Sequence, residues 1–196
     1  MTGSVKKQRP GARHIKRVKS GCQTCNINLF DYFRVVCAQE FALFYESPDW
    51  KNLVLNAVFN EKFAYHAALA ISAMTRAHYL GKEPSVDTLS PHEYANQQYS
   101  LAIQHLNARL ESGWETAELA VFASVLFVNI EFLRATLVQT RRQNLINVHI
   151  QGGLAVLRQL QNSAAQPCLV GSWEVMGDAL WQNQRQLEGL ELMAKL

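Results

Sequence analysis

Only four cysteines occur in the 196 residues. That is too few for a disulfide framework and excludes a small secreted scaffold. No run of about 18 uncharged apolar residues occurs, so no membrane-spanning helix is expected. Asp and Glu are missing altogether from residues 1–20. The same stretch has no apolar core, so it is not a secretory signal. The six histidines (His14, His66, His78, His92, His105 and His149) never form a His-x-x-x-His pair. A Gly-rich phosphate loop and a Gly-x-Ser-x-Gly elbow are missing too, so an enzyme has no residue to rest on.

Apolar residues make up 48% of the chain and charged residues 18%. That balance, at this length, fits one globular domain with a real core. The net charge of +3 hides an asymmetry. Residues 1–20 hold Lys6, Lys7, Arg9, Arg13, Lys16, Arg17 and Lys19. The remainder has 12 basic against 16 acidic residues, a net charge of −4. The basic segment carries too little apolar surface to fold alone and reads as a disordered arm. Its seven cations suit phosphate backbones, where each neutralised phosphate releases a counterion. They also suit a nuclear-import receptor, which reads short Lys/Arg clusters.

The arm runs into Gly21-Cys22-Gln23-Thr24-Cys25. Two cysteines at this spacing can offer both thiolates to one metal ion, but they are only half of a tetrahedral site. Cys37 and Cys168 stand alone in apolar surroundings and read as small buried hydrophobes.

From Leu29 onward the pattern is helical almost throughout. Leu29, Phe30, Phe33, Val36, Cys37, Phe41 and Phe44 recur at three- and four-residue spacing. Ser47-Pro48-Asp49 breaks this helix, and Asp49 and Asn60 are the expected caps of the next two. Ser90-Pro91-His92-Glu93 predicts a capping box. Residues 115–138 are apolar on nearly every face, which predicts a central helix. Gly152-Gly153 inside the next helix, at about 1 kcal/mol per Gly against Ala, implies a close neighbour or a kink. Glu131 and Arg134 are spaced to pair one turn apart. The expected fold is all-α, an irregular bundle of about six helices.

Two family resemblances rest on these residues. The basic arm with Lys19-Ser20-Gly21-Cys22-Gln23-Thr24-Cys25 resembles the opening of a fungal-type binuclear zinc-cluster domain, in which six cysteines hold two zinc ions. The body resembles the fungal-specific transcription factor regulatory domain. Three segments carry that likeness: Tyr32-Phe33 through Glu46-Ser47-Pro48-Asp49-Trp50 to Leu53-Val54-Leu55; His66 to Met74; and Glu131-Phe132-Leu133-Arg134 with His149-Ile150-Gln151-Gly152-Gly153-Leu154.

The departure from the zinc-cluster pattern is large. Tyr32 stands where the third cysteine belongs, and Asn26 to Phe30 contain no basic residue. The resemblance therefore implies zinc through Cys22 and Cys25, two of six ligands, without an assembled binuclear cluster. It implies residues 1–28 as the arm and cluster remnant, and residues 29–196 as a regulatory domain truncated at its C-terminus. The implied function is a nuclear, fungal regulator of RNA polymerase II genes, pathway-specific for a biosynthetic gene cluster. Its expected partners are DNA, through non-specific phosphate contacts of the arm, and a homo- or heterodimer. The alternative is a helical interaction module that reads no DNA and dimerises with, or titrates, a full-length regulator.

Overall fold

The computed structural model describes residues 23–80, 89–111, 116–135, 141–163 and 173–193. Among them the chain is all-helical. The first rod consists of α1 (Gln23–Tyr32), a π-helical turn (Phe33–Cys37) and α2 (Ala38–Phe44). Five buried residues, Leu29, Phe33, Cys37 and Phe41 in the rod and Tyr45 just past its end, are four apart. In an α-helix of 3.6 residues per turn, such a row drifts by about 40° per step. The wider π turn sits in the middle of the row and pulls it back toward one face.

The rod ends in a Schellman turn. Ser47 N–H donates to the Ala42 carbonyl at 3.1 Å and Glu46 N–H to that of Leu43 at 3.3 Å. Glu46 takes the left-handed position, with φ 51°, where glycine is the usual occupant. Then follow α3 (Asp49–Asn60), α4 (Lys62–Leu80), α5 (Pro91–Leu110), α6 (Ala117–Ala135), α7 (Arg141–Asn162) and α8 (Trp173–Met193). Counting the first rod once, the described residues form seven rods, in line with the expected bundle of about six.

Three expected boundaries shift. The first helix starts at Gln23 rather than Leu29, so Cys25 lies inside it. Asp49 is the first helical residue of α3, and Pro48 before it makes no side-chain cap. Asn60 closes α3 instead of opening α4, and its side-chain amide donates back to the Asn56 carbonyl at 2.8 Å. The extended residue between the two helices is Glu61. Ser90 caps α5 as expected: its hydroxyl accepts from Glu93 N–H at 3.2 Å, while Glu93 Oε2 accepts from Ser90 N–H at 2.9 Å.

The core is organised around α4 and α6. Helix α4 packs on α1, α3, α5 and α6, and α6 on α4, α5, α7 and α8. Small buried residues of α4 (Ala64, Ala67, Ala68, Ala70 and Ala73) let its neighbours approach closely. Leu119, Phe122, Leu126 and Ile130 of α6 are fully enclosed, as expected for the central helix. Trp50 of α3 stacks on Phe122 at 6.3 Å and lies 4.7 Å from the Tyr45 ring. Gly153 explains half of the glycine pair. A Cβ there would stand 2.8 Å from Ser124 Cβ on α6, whereas one at Gly152 would meet nothing within 4 Å. Helix α7 stays continuous across both.

Candidate functional site

The third resemblance segment turns out to be a contact. Helix α6 supplies Glu131 and Arg134, α7 supplies His149, and α5 adds Tyr99. Arg134 Nη1 donates to Glu131 Oε1 at 2.8 Å. The Arg134 guanidinium also lies over the Tyr99 ring, 5.5 Å from its centre. Tyr99 Oη and His149 Nε2 share a hydrogen bond of 2.8 Å, and both rings pack edge-on against Phe127.

Glu131 is only 1% exposed, so its pairing with Arg134 is no ordinary surface bridge. Its second oxygen, Oε2, is buried without a hydrogen bond. Burial pushes the Tyr99 hydroxyl up, and the Glu131 charge pushes the same way against Arg134. Burial pushes His149 below its ordinary value, because it disfavours the charged imidazolium. This cluster clamps three helices together. It holds no activated nucleophile.

A second buried knot joins the end of the first rod to α6 and α8. The Tyr45 hydroxyl accepts from Asn129 Nδ2 at 2.9 Å and from Asn183 Nδ2 at 3.0 Å. Burial pushes this hydroxyl up to about 12, with both amides opposing the shift. Beside it, the Gln182 amide donates to the Phe44 carbonyl. Between α4 and α5, His66 Nδ1 bonds Gln98 Oε1 at 2.8 Å, and its ring stacks on His105 at 5.0 Å.

Of the predicted site residues, Cys25 alone is described. Cys22 and the seven basic residues Lys6, Lys7, Arg9, Arg13, Lys16, Arg17 and Lys19 lie outside the described residues, as does Cys168. Cys25 sits in the first turn of α1, half-buried against the helical core. The next residue is pinned to α5, where Tyr94 Oη donates to Asn26 Oδ1 at 2.7 Å. Cys37 is 1% exposed, and burial pushes its thiol up to about 12. A thiol so far above neutrality is a poor source of the thiolate that zinc needs. Among the described residues, no three His, Cys, Asp or Glu side chains gather as a metal site.

Sequence reasoning missed Tyr99 and the whole Tyr45–Asn129–Asn183 knot. The available signal was weak: a hydroxyl or amide recurring on an otherwise apolar helix face.

Fold and clusters define a helical domain whose elements are locked together by buried polar contacts. Residues 28–181 match the fungal-specific transcription factor domain, and the chain belongs to that family. Membership places it among transcription regulators. No curated protein and no solved structure matches it.

Proposed function

We propose that the chain is a nuclear regulator of RNA polymerase II transcription, tied to a biosynthetic gene cluster, whose body works beside an incomplete zinc cluster. One observation carries this reading. The basic arm passes straight into a regulatory domain whose first helix already begins at Gln23. That leaves no segment between Cys25 and the body to read bases.

The chemistry follows from what remains. A binuclear cluster needs six thiolates, and the chain has four cysteines, one of them the buried Cys37. Cys22 and Cys25 can at most share one zinc with ligands from elsewhere. The seven cations of the arm supply phosphate contacts, which position a protein on DNA without specifying sequence. The same Lys/Arg clusters serve nuclear import. Regulation would then run through the helical body and not through catalysis.

The test is a DNA titration across salt concentration with several unrelated duplexes. The logarithm of the affinity should fall linearly with log salt, with a slope of at most about 6 in magnitude for seven contacts, and equally for every duplex. A strong preference for one sequence would overturn the reading.

A second reading has its own observation. A groove of about 440 Å³ between the first rod, α4 and α6 is lined by the exposed Leu43 and Tyr79 and by Phe41 and Phe44. Such an apolar opening suits contact with a second regulator, which this chain would dimerise with or titrate. Sedimentation showing a monomer at all concentrations, and no mixed complex with a full-length relative, would remove it.

A further inference from the structure

Helix α8 carries an exposed stripe that the bundle does not use. Glu174, Asp178, Trp181, Arg185, Glu188 and Leu192 are spaced 4, 3, 4, 3 and 4 residues apart, and all are exposed. That spacing places them along one side of the helix. The opposite side, with Met176, Leu180, Asn183 and Leu187, is buried. Counting Glu191, the helix exposes four carboxylates against one cation, Arg185.

At its start the stripe borders a groove of about 420 Å³ between α7 and α8. Trp173 and Trp181 line it, with Glu174 and Asp178 beside them and Arg158 as the one cation. Trp181 is 48% exposed, which leaves indole surface for a guanidinium to pack on. The Trp173 indole N–H is buried with no acceptor. Exposed carboxylates beside a half-exposed indole suit a basic peptide.

We propose that this face docks the chain's own basic arm, residues 1–20. Charge complementarity favours it: seven cations and no acid meet the most acidic helix of a body whose net charge is −4. Reach does not forbid it. The 22 residues before α1 span about 75 Å when extended. A domain of this size is roughly 40 Å across. The arm cannot lie on α8 and on phosphate at once, so docking competes with DNA; this consequence alone rests on the phosphate contacts proposed above.

The test is carbodiimide cross-linking of the full chain, followed by peptide mapping. Lys6, Lys7, Lys16 and Lys19 should link within one chain to Glu174, Asp178 and Glu188, in preference to Glu46 and Glu111. Trp181→Ala, at a half-exposed position, should cut those links several-fold, and so should Glu174→Gln/Asp178→Gln at the links that remain. Links spread evenly over all acidic residues, links only between chains, or yields unchanged in both variants would each overturn the proposal. A parallel DNA titration separates the two readings. Glu174→Gln/Asp178→Gln should raise DNA affinity several-fold more than the charge-matched Glu46→Gln/Glu111→Gln. If the chain binds no DNA, the cross-links still decide docking.

Discussion

The Tyr45–Asn129–Asn183 knot and the Tyr99–His149–Glu131–Arg134 cluster both tie α6 to its neighbours, but with opposite chemistry. The first is neutral. Its hydroxyl accepts from two amides, and with its ionisation pushed up to about 12 it stays uncharged over any physiological range. The second buries a carboxylate against a guanidinium, and burial lowers the proton affinity of its histidine. One oxygen of that carboxylate lacks a hydrogen bond. A satisfied neutral knot fixes geometry at small electrostatic risk. A buried ionic cluster holds only while every partner is present, because an unpaired buried charge is costly. The α8 side should therefore be insensitive to pH, and the α5–α7 side should not.

Removing one partner from the ionic cluster breaks the comparison hardest. Arg134→Met strands the Glu131 carboxylate and should cost about 3 kcal/mol, since one-sided loss of a buried pair typically costs several. Asn183→Leu removes one of two donors to Tyr45 and should cost about 2 kcal/mol, near the penalty of one unmet buried group. Urea unfolding followed by circular dichroism would rank the two, and the reverse order would contradict the distinction.

Smaller effects test the packing beside the clusters. Gly153→Ala forces α7 off Ser124 and should cost about 1–2 kcal/mol by overpacking. Its neighbour Gly152 faces open space, so Gly152→Ala should stabilise by up to about 1 kcal/mol through helix propensity. Glu46→Gly relieves a left-handed residue and should add up to about 1 kcal/mol.

Acid sharpens the contrast further. His149 and His66 both lie below their ordinary 6.5 in the folded chain. Unfolding raises their affinity for protons, so stability is full above pH 6.5 and falls as pH drops below it toward the folded values. Melting temperatures taken downward from pH 7.5 should show this slope. His149→Gln should make it shallower, leaving the part due to His66, whereas Tyr45→Phe should lower stability without changing it. An unchanged slope in His149→Gln would place the acid sensitivity elsewhere.

What could be read from the sequence was what local chemistry determines. Ser90 and Glu93 form their capping box because all its atoms lie within four residues. The central place of α6 followed from apolar groups on every face, and the buried Cys37 from its apolar setting. The start of α1 was hidden because Gln23, Thr24 and Asn26 carry no apolar period. The polar knots were hidden for a different reason. Tyr45 meets Asn129 and Asn183 across 84 and 138 residues, distances over which a single sequence holds no pairing signal. Glu131 with Arg134 was visible at its i, i+3 spacing, but the burial that changes its meaning was not.

The claim that most needs testing is that the chain carries its regulatory body without an assembled binuclear cluster. Native mass spectrometry of the full chain, with zinc quantified before and after a chelator, addresses it directly. The expected result is no more than one zinc per chain, lost to the chelator without unfolding the helices. Two zinc ions per chain that survive the chelator would contradict it.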